Sequence, residues 1–199
     1  MRRVVVTGMG AVTPLGSSAA DTWRAALSGE SGIDWIRAFD ASEFPVRVAA
    51  EAKDFDLDGI ASPKEQRKLD RNVLLALAAG KEAVDHAGLN GFDPYRVGIA
   101  LGSAIGGIAG IVKQGDVLRE RGYERVSPSF IPSVLVDAAS GQLAISLGIK
   151  GPNYAPVSAC ATGSHAVGEA AEMIKRGDAD AMLAGGTEAA IQPIILAGF

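Results

Sequence analysis

Asn153-Tyr154-Ala155-Pro156-Val157-Ser158-Ala159-Cys160-Ala161-Thr162-Gly163-Ser164-His165 opens a stretch that runs on through Arg176 to Gly177-Asp178-Ala179-Asp180-Ala181-Met182-Leu183. Its first six residues predict a strand interrupted at Pro156, which has no N–H to give to a ladder. A helix is predicted from about Ala161 to Arg176, with Glu169, Glu172, Lys175 and Arg176 mostly on one face. A second strand follows over Ala179–Leu183. Two strands joined by a helical crossover lie parallel in one sheet, so this stretch decides the fold class.

The same alternation continues outward from it. Arg96–Leu101 predicts another apolar strand, Gly102-Ser103-Ala104-Ile105-Gly106-Gly107 a tight loop, and the residues through about Arg121 a helix. Ser133–Leu147 predicts a helix as well. Leu69, Val73, Leu77, Gly80, Val84 and Ala87 recur at helical spacing, framed by Pro63 before them and Gly88 after. Residues 30–62 are less regular. At the start, Arg3–Thr7 predicts a buried strand that turns at Gly8, and Ala19–Leu27 a helix capped by Ser17 or Ser18 and stopped at Ser28-Gly29. Strand and helix in alternation imply an α/β layered domain with a largely parallel central sheet. Ala189–Phe199 is uncharged and apolar, unlike the polar end of a complete domain. The expectation is a sequence that stops mid-domain, the alternative a terminal segment tucked into the core.

Composition excludes several classes of function. Of 199 residues, 48% are hydrophobic and 21% charged, which rules out disorder. A net charge of -4 argues against a nucleic-acid binder, which needs a basic surface. The 25 glycines are well above the usual share of about 7% and show no Gly-X-Y period, so close backbone approaches and tight turns are expected. One cysteine makes no internal disulfide, and the first residues carry no apolar signal region. The uncharged run Val97 to Val112, interrupted by five glycines, falls short of the ~20 apolar residues of a membrane helix. The chain reads as cytoplasmic, with no membrane span.

Chemistry concentrates at Cys160. Between a strand and a helix, a thiol faces the free backbone N–H groups and the positive end of the helix dipole, which favour a thiolate and can also hold an oxyanion. No Asp, Glu, Lys or Arg occurs from Gly151 through Gly168, so this region is expected to be deeply buried. The bland alternative is a small buried hydrophobe. His165 lies five residues on, about 140° around the helix, and is not placed to act as the base. His86, His165 and Cys160 lack the spacing of a zinc site, and both histidines read as structural. Gly8-Met9-Gly10 follows a predicted strand, but Thr13 stands where a dinucleotide fingerprint needs its third glycine, and no P-loop occurs.

Ser158-Ala159-Cys160-Ala161-Thr162-Gly163, with Gly177-Asp178-Ala179-Asp180-Ala181-Met182-Leu183-Ala184-Gly185-Gly186-Thr187-Glu188, closely resembles the β-ketoacyl-acyl-carrier-protein synthases of fatty-acid synthesis, type II in particular. Arg3–Gly8, Lys64–Asp70, Gly102–Gly107 and Ser127–Ser133 carry further matches, so the resemblance spans the chain. It implies a thiolase-like α/β fold, a mixed and largely parallel sheet covered by helices. Residues 1–199 would be the first of two duplicated halves of a longer chain, truncated here.

The implied reaction is decarboxylative Claisen condensation: Cys160 takes an acyl chain as a thioester, and malonyl held on acyl carrier protein loses carbon dioxide and condenses with it. The family's two histidines and lysine, which assist decarboxylation and hold the carbonyl oxygen, belong to the second half. A chain-length factor would have glutamine at the position of Cys160. The resemblance implies an acyl tunnel lined by Ile105, Phe130, Ile131, Ala159 and Phe199, with Phe130 and Ile131 reaching across a homodimer interface. Apolar walls suit an acyl chain, since each buried CH₂ contributes about 0.8 kcal/mol. Plain core packing is the alternative for each residue.

Lys64, Arg67, Lys68 and Arg71 recur at helical spacing. The first three match family positions that dock acyl carrier protein. Arg125 matches another, whereas Glu124 departs from the neighbouring basic one. The carrier's phosphopantetheine arm would deliver the substrate, with no metal or bound cofactor and no nucleic-acid or membrane partner. A thiolase using coenzyme A thioesters, or an inert fragment or dimerisation scaffold, are the other readings.

Overall fold

The computed structural model describes residues 2–89 and 91–199. In chain order the elements begin with α1 (Ala19–Leu27), β1 (Ile33–Trp35), β2 (Val48–Ala50), α2 (Pro63–Gln66), α3 (Arg71–Ala87) and β3 (Val97–Gly102). Then come α4 (Ile108–Arg121), α5 (Phe130–Val134), α6 (Ala138–Leu147), β4 (Asn153–Tyr154), α7 (Thr162–Arg176), β5 (Ala181–Gly186) and α8 (Pro193–Gly198).

The central strand is β3, every residue of which is buried. Its alternation explains the layers, because successive side chains point to opposite faces. Val97, Ile99 and Leu101 pack with Val73, Ala76 and Leu77 of α3 and Ala139 and Leu143 of α6. On the other face Ala100 meets Ala166 and Ala170 of α7. Small residues on that face let the helix come close. β5 pairs parallel to β3 from Val97↔Ala181 to Gly102↔Gly186, and β4 pairs parallel on the other side through Ile99↔Asn153 and Ala100↔Tyr154. Helices thus cover both faces of a parallel sheet, the α/β arrangement expected from the alternation.

Capping accounts for the helix limits. Ser18 accepts the Asp21 amide to start α1, and glycines at left-handed φ end α3 at Gly88 and α7 at Gly177. Two helices expected to be continuous are broken. Ser62 and Glu65 form a capping box for α2, and Asp70 starts α3 afresh, so Pro63 opens a separate four-residue helix. Likewise Ser133–Leu147 divides between α5 and α6, because Val134 gives its carbonyl to Gly107 N–H at 3.0 Å and Leu135 turns to extended backbone.

Three expected strands also change. Arg3–Thr7 joins no ladder among the described residues, and Val5 and Val6 are exposed. The residues that follow it, Gly8–Ala11, are held by α3. Met9 N–H donates to His86 Nδ1 and Ala11 N–H to Glu82 Oε2, while a side chain on Gly8 or Gly10 would collide with the α3 backbone. Of Asn153–Ser158 only the first two residues pair, the ladder ending before Pro156. The second strand of the stretch starts two residues later than expected and runs on to Gly186.

Within 30–62, β1 and β2 form an antiparallel pair of three residues each, too short for a period to show in the sequence. The apolar end is not tucked into the core, as α8 has no buried residue and Phe199 is fully exposed. Among the described residues no helix is long and apolar enough to cross a membrane.

Candidate active site

Cys160 lies beyond the C-terminal end of β4, in a single 3₁₀ turn over Ala159–Ala161 that runs directly into α7. That is the end of an open parallel sheet where ligands bind. The turn is sharp because Ala159 has φ 50°, a left-handed conformation that costs a side-chain-bearing residue on the order of 1–3 kcal/mol.

Local hydrogen bonds hold the turn. Ser158 N–H donates to the buried Thr162 Oγ1 at 2.9 Å, and Ala161 N–H to Ser158 carbonyl at 3.1 Å. His165 Nδ1 pairs with Ser158 Oγ at 2.6 Å, so this histidine is committed to the turn, in keeping with the structural role expected of it. Glycines set the depth at which α7 sits. A Cβ on Gly102 would lie 2.6 Å from Thr162 Cγ2, and one on Gly186 only 3.2 Å from Gly163 Cα. The first turn of α7 therefore rests against the ends of β3 and β5, with Cys160 at its mouth.

The expected deep burial of 151–168 does not hold. Cys160, Ala159, Ala161 and His165 are exposed, and α7 buries only the stripe Thr162, Ala166, Ala170. An uncharged stretch is compatible with an exposed apolar surface as well as with a core, so absence of charge does not fix its burial.

Ile105 stands in the loop after β3. Gly107 N–H donates to Val134 carbonyl at 3.0 Å, and this joins the loop to α5, which carries Phe130 and Ile131. Ile105 and Phe130 are half-buried, whereas Ile131 and Phe199 are exposed. The loop is organised by Glu188, the last residue of the Gly177–Glu188 motif, to which the sequence alone assigns no role. Glu188 accepts the N–H groups of Ala104 at 2.8 Å and Ile105 at 3.3 Å, and the Ser103 hydroxyl at 3.2 Å. Its signal was present in the sequence, for Glu188 is the only charged residue in 181–199.

The basic residues divide between two settings. Lys64, Arg67 and Lys68 lie on and just after α2 and make no ion pair among the described residues. Arg71 leaves this group, donating to Ala52 carbonyl and lying over the Phe55 ring, 5.5 Å from its centroid. Arg67, Lys68, Lys113, Ser127 and Phe130 help line an open cleft of about 280 Å³. Arg125 sits in the 3₁₀ turn Tyr123–Arg125 just before Ser127.

The whole chain, residues 1–199, matches the family model described as Beta-ketoacyl synthase, N-terminal domain. It is 46% identical over 200 residues to 3-oxoacyl-[acyl-carrier-protein] synthase 2 of Coxiella burnetii, covering 100% of this chain and 48% of that protein. The chain thus spans about half the length of the curated relatives it matches. Among solved structures, a β-ketoacyl synthase from Burkholderia phymatum superposes with TM-score 0.84 at 30% identity, covering 99% of this chain and 49% of that one. The AntDE:AntF complex, a type II PKS acyl-carrier protein with its ketosynthase bound to the hexaketide, superposes with TM-score 0.85 at 26% identity, covering 99% and 55%. The fold is therefore that of the ketosynthases, and the chain belongs to the β-ketoacyl synthase family.

Proposed function

We propose that this chain is the N-terminal half of a condensing enzyme that elongates acyl chains by two carbons, with Cys160 as the nucleophile. The observation that carries the reading is the placement of the one thiol on a strained turn at the start of α7, beyond the ends of the parallel strands. In the first step Cys160 Sγ attacks the carbonyl of an acyl thioester, the donor's thiol leaves, and the acyl chain remains on sulfur. Decarboxylation of a malonyl thioester then yields a carbanion that attacks the acyl carbonyl, releasing Cys160 as thiolate and a chain two carbons longer. Backbone N–H groups at the start of α7 are suited to the oxyanion of either step. Residues for decarboxylation come from the second half, so the 199 residues alone are expected not to condense.

Acyl carrier protein is the proposed partner. Lys64, Arg67 and Lys68, unpaired within the described residues, form a basic surface for an acidic carrier, with Arg125 as a second contact. The phosphopantetheine arm then brings the thioester to Cys160, past an acyl site lined by Ile105, Phe130, Ile131, Ala159 and Phe199. A homodimer is proposed from the outer side of β4, an edge strand among the described residues, together with the exposed apolar Ile131 on α5, Ile145 on α6 and Val157 after the strand. A reducing cytoplasmic setting keeps the thiol available.

The test is peptide mass mapping of the full-length protein after exposure to an acyl thioester. Acylation at Cys160, lost in Cys160→Ser, is expected. An acyl group that persists after that substitution overturns the nucleophile assignment, and turnover of coenzyme A thioesters with no use of carrier-bound ones favours a thiolase.

A further inference from the structure

We propose that Glu188 is a specificity-determining positioning residue, whose carboxylate shapes the 103–107 loop and, through Ile105, decides which acyl chains the site accepts. The inference rests on the reading of Ile105 as a wall of the acyl site.

Four successive residues depend on this one side chain. Ser103 Oγ, Ala104 N–H and Ile105 N–H donate to the carboxylate directly, and Gly106 N–H donates to Ser103 Oγ at 2.8 Å. Bonds to an ionised acceptor are roughly twice as strong as neutral ones. Glu188 forms no ion pair with a described lysine or arginine, so backbone and hydroxyl donors of the loop are the partners its charge has.

Its own backbone is firmly based. Thr187 N–H donates to Gly102 carbonyl at 3.0 Å, extending the β3–β5 ladder, and the half-buried Thr187 Oγ1 donates to the carbonyl of buried Asn72 at 2.6 Å. The far end of the loop is pinned where Gly107 meets Val134. Ile105 is thus suspended between two anchors, one of them a single carboxylate. Loss of that anchor would free the side chain that shapes the apolar site while leaving Cys160, on a separate turn, in place. A small misplacement of a positioning element is enough to change rates by large factors.

The experiment compares Cys160 acylation by butyryl and tetradecanoyl thioesters in the full-length protein, for wild type, Glu188→Ala and Glu188→Gln. Glu188→Ala is expected to change the ratio of the two rates by about tenfold, the scale of discrimination available to an apolar pocket. Amide exchange at Ala104 and Ile105 should speed up in parallel. Glu188→Gln, whose carboxamide oxygen still accepts both amides, should restore most of the wild-type ratio. Should Glu188→Ala fail to fold, Ser103→Ala, which breaks the relay to Gly106, should shift the ratio in the same direction by less. An unchanged ratio in every folded variant, or equal loss with both thioesters, overturns the proposal. A wild-type protein that takes no acyl group on Cys160 instead overturns the reading of the site beneath it.

Discussion

The carboxylate of Asp70 accepts the backbone N–H of Gly110 at 2.8 Å, across forty residues of sequence, while also capping its own helix at Asn72. One buried side chain therefore starts both α3 and α4. Asp70→Ala is expected to cost on the order of 2 kcal/mol, twice the loss of about 1 kcal/mol typical of a single N-cap. Urea denaturation measures it. A loss no larger than that of Ser18→Ala, which removes one cap from α1, would show that the bond to Gly110 contributes nothing.

Backbone conformation at Ala159 gives a second expectation. Glycine adopts φ 50° without steric cost, whereas a β-branched residue does not. Ala159→Gly should leave acylation of Cys160 within a few fold, and Ala159→Val should lower it by about 100-fold, the scale of a 1 Å misplacement. Circular dichroism should show the same helix content for both. Equal rates in the two variants would mean that the turn does not aim the thiol.

Charge reversal at Lys64, Arg67 and Lys68 to Glu should raise KM for carrier-bound substrates in the full-length enzyme and leave acylation from a small thioester nearly unchanged. Such rim charges act through association rate, so the effect should shrink as salt is added. Arg71→Gln is expected to behave differently. Its guanidinium is engaged with Ala52 and Phe55, so it should lower stability without a selective effect on the carrier. Equal losses with both kinds of substrate in the triple variant would assign the cluster to folding.

Acid should expose the role of Asp180. Arg96, which hydrogen-bonds it most strongly, and then Arg2 hold its carboxyl down at about 2. A carboxyl whose value is depressed on folding favours the folded state while ionised. The contribution is complete above about pH 4 and disappears as pH falls toward 2. Asp180→Asn should therefore have a lower urea midpoint than wild type at pH 7, with the two converging across that window. The gap should be modest and narrow further in high salt, because the group is solvent-exposed. Midpoints that stay apart at pH 2 would show that ionisation is not the cause.

Local signals were enough for part of this protein. The β3–α4 and β4–α7–β5 units were legible because apolar periodicity, Pro156 and the terminal glycines are short-range features, each acting within a few residues. So was Cys160 at a helix start, since a strand, small residues and a helix follow one another in sequence. Tertiary structure decided the rest. Helices predicted to be continuous break at Asp70 and after Val134 because these residues bond to Gly110 and Gly107, which lie far along the chain. Arg3–Thr7 has the composition of a strand, but a strand needs a neighbour's edge, and this segment joins none among the described residues. Glu188 stands out in the sequence as a lone charge in an apolar stretch, but its partners follow only from the pairing of Thr187 with Gly102, which brings its carboxylate to a loop 83 to 85 residues distant. Propensity acts along the chain, whereas hydrogen-bond partners and surface exposure depend on which distant segments the fold brings together.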